Sequence, residues 1–443
     1  MPVDDIRASV RDGDLPAVSR RLDGLPAHEV ADLLARLDES SAGLVFRMLG
    51  KDEALAAFED LDPVSQHGLL RGMRDGAVGE LVERMEPDDR ARMLGEVPAS
   101  VANRVLAGLS PGEREMTASL LGYPARSAGR SMSPELVSLH SDDTVARALD
   151  RVRRDGASAE TVYTLPIVDE GRCYAGVVTL RRLVLGDPGA TVGELADPSA
   201  PWVLATDPAE DAAHLMRETD VLALPVLDAE HRLLGLITID DAVDVLEQAQ
   251  TEDTARQAGA APWAGHYMAQ RVWPLARSRV VWLLLLLVAA TLTVNVLQFF
   301  EDTLETVTAL ALFVPLLIGT GGNAGAQAAT ASVRAVAVGE VRPSDVLAVA
   351  WREARVGIAL GAMLAVAALG IGSALVGMRI AVVVAISLVA ICAWAATIGA
   401  TMPLVAKRLG IDPAVVSAPA VTTLVDATGL IIYFVVARAV LGI

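Results

Sequence analysis

The sequence predicts a multidomain membrane protein with a helical solenoid, a tandem α/β module and an all-helical membrane domain. Its C-terminal third is almost uncharged: residues 276–443 hold 8 acidic and 10 basic residues, whereas the first 275 hold 47 and 27. The rest of the chain contains a regularly spaced proline repeat and a duplicated α/β pattern. A chain this apolar is not disordered, and its acidic part disfavours nucleic acid as a partner.

The first element is a series of short helices. Pro63, Pro87 and Pro111 recur at equal intervals, and each opens a leucine-containing segment with acidic residues at or beside its start. Proline at the first helical position, together with acidic residues in the first turn, is a helix-start signal. These repeats predict an α-solenoid over residues 1–128, with a plain helical bundle as the alternative.

The second element is a pair of similar segments, Leu165–Val184 and Leu224–Val243. Each contains an apolar run, an aspartate-containing turn, a second apolar run with a glycine, and a threonine placed to cap a helix. Two such strand–turn–strand–helix units predict a tandem α/β module over residues 129–246. The pair resembles CBS domains, a regulatory fold that binds nucleotides or ions in the cleft between its repeats.

The third element, residues 247–275, connects this module to the membrane domain. It begins as a helix with Glu252 and Asp253 and ends with aromatic residues, namely Trp263, Tyr267 and Trp273. Aromatic and arginine residues just before a span are typical of the membrane interface. We therefore expect a connecting helix followed by a segment that contacts membrane lipid.

The fourth element, residues 276–443, contains five stretches with almost no charge. They are Val280–Phe300, Thr306–Val333, Val356–Met378, Ile380–Ala406 and Pro413–Ala437. Each is long enough to cross a bilayer. A cytosolic N-terminal part gives eight basic flanking residues inside and only Arg379 and Arg438 outside, as the positive-inside rule requires. We expect a multi-pass protein of the cytoplasmic membrane with its C-terminus outside.

Two features inside these spans point to an ion path. The second span contains the glycine-rich segment Gly319–Ser332, and the fifth carries Asp426 near mid-depth. A carboxylate there costs about 2.5–3.5 kcal/mol on insertion scales and is usually functional. The glycines predict a broken helix around Gly321–Gly325 that lines water, or a packing seam of small residues. The alternative for Asp426 is a protonated side chain hydrogen-bonded to a neighbouring helix.

These motifs, in this order, are similar to the MgtE family of magnesium channels. The specific segments are Phe313–Glu340 (FVPLLIGTGGNAGAQAATASVRAVAVGE) and Gly410–Phe434 (GIDPAVVSAPAVTTLVDATGLIIYF). The resemblance implies a homodimer with an α-solenoid N domain, tandem CBS domains and five transmembrane helices per subunit. It implies no enzymatic activity and a pore on the two-fold axis. The pore residues it implies are Asp426, Asn323, Gln327, Gly321 and Gly322.

The resemblance also implies that intracellular Mg²⁺ closes the pore by binding between acidic domain surfaces. The sensor residues are expected to be Asp88, Asp89, Glu210, Asp220, Asp241, Asp244, Glu252, Asp253 and Asp412. Acidic surfaces that repel each other would be held together by a divalent cation. The sequence leaves open whether the CBS cleft also binds ATP.

Two departures from the family pattern keep an alternative substrate open. Ala326 and Ala418 stand where the family often has asparagine near the ion. A separate departure, which concerns the sensor and not the substrate, is Ala249, at a position of the connecting helix that is often acidic. The alternatives are therefore a pore for another divalent cation, such as Co²⁺ or Mn²⁺, and a CBS membrane sensor without transport. Asp426 in the fifth span argues against the second of these.

Overall fold

The computed structural model describes residues 3–261, 272–413 and 418–443. The described residues form two compact units. The first lies within residues 3–249, and the second combines residues 250–261 with the C-terminal part from residue 272 onwards. Trp263 and Tyr267, which the sequence assigns to an interfacial segment, lie outside the described residues. Trp273 belongs to the first long helix of the second unit and is exposed.

The first unit opens with ten short helices. They are α1 (Val3–Arg11), α2 (Leu15–Leu22), α3 (Ala27–Arg36), α4 (Glu39–Phe46), α5 (Lys51–Glu59), α6 (Pro63–Gly72), α7 (Asp75–Glu83), α8 (Pro87–Glu96), α9 (Ala99–Gly108) and α10 (Pro111–Leu121). The three repeated prolines each occupy the start of a helix, as predicted. The side chains of Asp62 and Ser110 accept hydrogen bonds from amides in the first turns of α6 and α10.

These helices stack in series. Helix α3 packs on α5, α4 on α6, α7 on α9, and α8 on α10, so that each contacts the helix two positions further along. Buried residues such as Leu33, Phe58, Leu70 and Met93 form the continuous core. This arrangement confirms the helical solenoid, because a solenoid repeat packs only on its neighbours.

The tandem α/β module follows and contains two small sheets. Its elements are β1 (Leu139–His140), α11 (Val145–Asp155), β2 (Thr164–Val168), β3 (Tyr174–Thr179), α12 (Leu180–Leu185), α13 (Val192–Leu195), β4 (Val203–Leu204), α14 (Ala209–Thr219), β5 (Ala223–Leu227), β6 (Leu233–Thr238) and α15 (Ile239–Gln257). The sheet orders are β1-β2-β3 and β4-β5-β6, each with one parallel and one antiparallel pair. The two sheets share one topology, as the repeat predicts.

Helix α15 joins the module to the second unit without interruption. It spans 19 residues and carries both the end of the second repeat and the acidic residues Glu252 and Asp253. The domain boundary predicted between residues 246 and 247 therefore falls inside a helix.

The described residues of the second unit include five helices long and apolar enough to cross a membrane, as predicted. Its helices are α16 (Val272–Phe299), the short α17 (Glu301–Thr306), α18 (Val314–Ala337), α19 (Val346–Val376), α20 (Met378–Arg408) and α21 (Ala418–Leu441). Helix α20 packs on α18, α19 and α21 and is the most buried of them. The five helices make the C-terminal part a membrane domain.

Candidate ion path and acidic cluster

The glycines of the second span lie in a continuous helix, α18. The expectation of a broken helix around Gly321–Gly325 is therefore wrong. An added Cβ would meet Ile391 Cγ2 at 2.6 Å from Gly321, Thr422 Cγ2 at 2.7 Å from Gly322, and Val421 Cγ1 at 3.0 Å from Gly325. The glycines let α18 approach its neighbours closely, which is the packing seam that the sequence left open.

The closest approach in this seam joins two glycines. A Cβ on Gly399, in α20, would lie 2.2 Å from the carbonyl oxygen of Gly325 in α18. No rotamer change relieves a clash with backbone, so this crossing requires glycine. Nearby, the Ser332 hydroxyl donates a hydrogen bond to the Ala400 carbonyl at 2.6 Å. The packing along this seam holds one face of α18 against its neighbouring helices.

Asp426 lies in α21 against this seam. A Cβ on Gly322 would lie 3.5 Å from its Oδ1 atom, so the glycine leaves room for the carboxylate. That oxygen is buried and has no hydrogen-bond partner among the described residues. The side chain as a whole is half-buried. This acceptor oxygen is therefore unsatisfied within the described part of the chain.

Asn323 and Gln327 form a polar stripe on α18, the helix whose Gly322 faces Asp426. They follow Gly319 at intervals of four residues, so all three lie on one face of the helix, and all three are exposed. Amide side chains on a spanning helix are costly against lipid and are expected to face water or protein.

A second group of functional candidates lies in the first unit, where the helical domain contacts the second α/β repeat. Carboxylate oxygens of Asp88, Asp89 and Asp241 lie within 4.8 Å of one another. So do those of Glu86, Asp88 and Glu160, which makes Asp88 common to both groups. Asp88 is only 4% exposed, and its Oδ1 atom accepts no hydrogen bond from the described residues. Converging carboxylates with this spacing could hold a divalent cation.

The electrostatics of this cluster agree with that interpretation. Burial, followed by repulsion from Asp241 and Asp89, raises the pKa of Asp88 well above its usual range. Burial raises the pKa of Asp241 to about 6, and burial with repulsion from Glu86 raises the pKa of Glu160 to about 7. Without a cation, these acids resist ionisation because they are shielded from water and their negative charges repel each other.

An arginine already neutralises part of this charge. Arg92, in α8, donates hydrogen bonds to Asp89 at 2.6 Å and to Asp244 of α15 at 3.0 Å. The guanidinium therefore joins the helical domain to the α/β module through the Asp244 carboxylate, and Asp89 binds it from within α8. Asp244, expected as a sensor residue, lies beside the cluster and is paired with Arg92.

Two other expected sensor residues lie elsewhere in the unit. Glu210, on α14, is 3.6 Å from His214 Nε2. Asp220 ends α14 in a left-handed conformation and lines a cleft between the two repeats. In the described part of one subunit, neither belongs to either carboxylate group. The volume of the cleft is about 1220 Å³, and its lining includes Tyr163, Thr179 and Arg181 from the first repeat.

The remaining sensor candidates lie in the second unit, at the C-terminal end of α15. Arg256 Nη1 lies 2.5 Å from Asp412 Oδ2, and Arg256 Nη2 lies 3.3 Å from Glu252 Oε2. Asp412 therefore faces the connecting helix, as expected, and a guanidinium contacts its carboxylate. Asp253 is half-buried on the same helix.

Sequence reasoning missed several residues of these sites. Glu86 and Glu160 lie close in space to Asp88, and Glu160 is in a loop with no pattern to single it out. No pattern in the sequence singles out Arg92 or Arg256. The position of Glu86 directly before Pro87, at the start of an acidic helix, is the one signal that could have indicated it.

Family profiles match almost every part of this architecture. The profile described as MgtE, divalent cation transporter, matches residues 314–436, and the MgtE intracellular N domain matches residues 25–126. CBS domain profiles match residues 128–186 and 192–248. The chain is also 35% identical to the magnesium transporter MgtE of Thermus thermophilus, with 98% of both chains covered.

The chain belongs to the MgtE family. The magnesium transporter MgtE of Bacillus subtilis is 29% identical, with 97% of this chain and 95% of that protein covered. A crystal structure described as the cytosolic domain of the Mg²⁺ channel MgtE in complex with ATP is also similar. The matched region covers 55% of this chain and 99% of that structure's chain, with 31% identity and a TM-score of 0.51. MgtE proteins are transporters and not enzymes, and the helical domain, CBS pair and five spans of this chain follow their domain order.

Proposed function

We propose that this chain transports Mg²⁺ across the cytoplasmic membrane through a path that contains Asp426. The observation that carries the proposal is the unsatisfied Oδ1 atom of Asp426, which faces Gly322 of α18, the helix that also carries exposed Asn323 and Gln327. These three polar residues would form one wall of the path. Mg²⁺ loses its water reluctantly and is usually held through one or two carboxylates. A carboxylate and exposed amides suit a hydrated ion, with bridging waters filling the remaining positions.

We propose that the working form is a homodimer with this wall on its two-fold axis. Asn323 and Gln327 are exposed in a single copy of the chain, and a second copy would enclose them. In the CBS pair, the last helix of each repeat also carries exposed apolar residues, namely Val184 and Leu185 on α12 and Val243 on α15. Apolar surface at equivalent places in both repeats is typical of a subunit interface.

We propose that intracellular Mg²⁺ closes the path by binding at the cluster of Asp88, Asp89 and Asp241. Two of these residues belong to the helical domain and one to the CBS pair, so a bound cation favours the state in which the domains are in contact. A ligand shifts such an equilibrium only by its differential affinity for the two states. Helix α15 begins beside this cluster and ends beside Asp412.

The proposed orientation places the N-terminal domains in the cytosol and the C-terminus outside. The short link that contains Asp412 then lies on the cytosolic side, where internal Mg²⁺ acts. Eight basic flanking residues on that side support this orientation.

We also propose that the CBS cleft binds ATP as a second ligand. The cleft contains Arg181 and Arg182, suited to phosphates, and Asp220, suited to ribose hydroxyls. The similar cytosolic domain was crystallised with ATP.

The transport proposal is tested by uptake into proteoliposomes with Mg²⁺, Co²⁺ and Mn²⁺ supplied separately. We expect Mg²⁺ uptake that depends on the protein. Uptake of Co²⁺ or Mn²⁺ without Mg²⁺ would favour the alternative substrate that Ala326 and Ala418 suggest. Absence of uptake for all three ions would favour a sensor without transport.

A further inference from the structure

The C-terminal end of helix α15 lies close to two other segments of the second unit. On one side, Arg256 contacts Asp412, in the link between α20 and α21. On the other, a Cβ on Gly259 would lie 2.4 Å from Cδ1 of Trp282, which belongs to α16. Gly259 has a φ of +68°, so it ends the helix and lets the chain pass closely over the indole.

The Arg256 contact is a fork between two carboxylates. One guanidinium nitrogen faces Asp412 and another faces Glu252, and the side chains of Arg256, Asp412 and Glu252 are 31%, 39% and 12% exposed. Arginine remains charged at every physiological pH and holds carboxylates in a fixed geometry. The guanidinium can therefore hold both carboxylates without a divalent cation when the end of α15 lies against Asp412.

Asp412 is well placed to influence the path. It follows Gly410, whose φ of +74° ends α20, and it precedes α21, the helix that carries Asp426. The contact between α15 and Asp412 therefore lies six residues before the start of the helix that carries Asp426.

We infer that Arg256 is a positioning residue of the gate: its guanidinium, not a metal ion, holds the end of α15 against Asp412 and so lowers the internal Mg²⁺ concentration needed for closure. This inference rests on the proposed function, since it needs a pore that internal Mg²⁺ closes. In this inference Asp412 is the partner of the Arg256 guanidinium and is not one of the metal-binding sensor residues. The sensing acids are then those around Asp88.

The inference and a direct metal site at Asp412 predict shifts of opposite sign. If Mg²⁺ binds Asp412 directly, Arg256 competes with it, and removing the guanidinium makes closure easier. If Arg256 makes the closing contact, its removal makes closure harder. The expected shift is about two- to fivefold in Mg²⁺ concentration, the range for a partly exposed ion pair.

The experiment measures Mg²⁺ flux through the full-length protein in proteoliposomes as internal Mg²⁺ is raised. Arg256→Gln should need about two- to fivefold more internal Mg²⁺ for half-closure, whereas Arg256→Lys should lie between this variant and the unmodified chain. Arg153→Gln is the matched control, because Arg153 contacts Asp150 on the exposed surface of α11. The control should close like the unmodified chain.

A charge exchange keeps the test independent of folding defects. In a Glu252→Gln background, which removes the neighbouring carboxylate, the double variant Arg256→Asp with Asp412→Arg restores the pair with reversed charges. It should close at lower Mg²⁺ than either single variant in the same background. A purely structural effect of either substitution would persist in the double variant.

Half-closure of Arg256→Gln at the same or lower Mg²⁺ than the unmodified chain would overturn the inference and leave the proposed function standing. A double variant no better than the single variants would also overturn it. An unmodified chain that conducts Mg²⁺ but never closes would overturn the proposed gating and this inference together.

Discussion

The carboxylates of Asp88 and Asp241 lie within 4.8 Å of each other, although one belongs to the helical domain and the other to the CBS pair. A buried acid and a half-buried acid so close repel each other unless a proton or a cation neutralises them. Protonation and Mg²⁺ binding should therefore have the same effect on the contact between the two domains.

The first prediction concerns pH. In the folded chain, the pKa values of Asp241 and Glu86 are raised to about 6 and that of Glu160 to about 7. The folded state therefore binds protons more tightly than the unfolded state, where such groups titrate near their ordinary value of about 4. The stabilising protons are lost as the pH rises from about 4 to about 7, so the free energy of unfolding falls over this range.

The measurement is thermal unfolding of the full-length protein in the presence of a chelator. The cytosolic part should unfold at a higher temperature at about pH 5.5 than at about pH 7.5. Added Mg²⁺ should raise the unfolding temperature more at the higher pH. A midpoint that rises with pH across this range would contradict the description of the cluster.

The second prediction concerns protection of the cytosolic domains from proteolysis. Mg²⁺ should protect residues 1–275 of the unmodified chain, because cations at the cluster keep the domains together. The double variant Asp241→Ala with Asp244→Ala should be protected less, since it removes one cluster carboxylate and one partner of Arg92. Its flux at high internal Mg²⁺ should also rise. Equal cleavage with and without Mg²⁺ in the unmodified chain would contradict the sensor.

The third prediction concerns the helix seam. Gly399→Ala should destabilise the membrane domain by about 1–3 kcal/mol, because its Cβ would meet the Gly325 carbonyl oxygen at 2.2 Å. The control is Gly370→Ala in α19, where a Cβ meets nothing within 4 Å. The control should be neutral, or stabilising by up to about 1 kcal/mol through helix propensity. Equal unfolding midpoints in detergent for the two variants would contradict the close crossing.

The fourth prediction separates nucleotide binding from Mg²⁺ sensing. Asp220→Ala should weaken ATP binding by about tenfold, as expected for loss of a hydrogen-bonding carboxylate, while Mg²⁺ protection stays unchanged. Glu210→Ala is the control, since Glu210 lies beside His214. Calorimetric titration of the full-length protein with ATP measures the affinity of each variant. An unchanged affinity in Asp220→Ala would exclude Asp220 from the nucleotide site.

The sequence was most informative where one local signal determines the structure. The helix starts at Pro63, Pro87 and Pro111 depend on the proline itself, and the five spans depend on composition. The glycines of α18 were misread because sequence does not show what packs against them. In this fold they face Ile391, Thr422 and Val421 at close range.

The paired arginines could not be predicted, because each contact joins distant parts of the chain. Arg92 pairs with Asp244 and Arg256 with Asp412 only after the domains have folded. The acid cluster was half predicted: Asp88, Asp89 and Asp241 were named from the resemblance. Glu160 joins them because its loop folds over the cluster.

The most direct test of the account is Mg²⁺ flux through Asp426 variants reconstituted in proteoliposomes. Asp426→Ala should abolish flux, and Asp426→Asn should reduce it by at least about tenfold, because the amide keeps the shape but loses the charge that attracts the cation. Asp302→Asn, at an exposed acid on α17 outside the spans, should conduct like the unmodified chain. Mg²⁺ flux through Asp426→Ala equal to that of the unmodified chain would contradict the account.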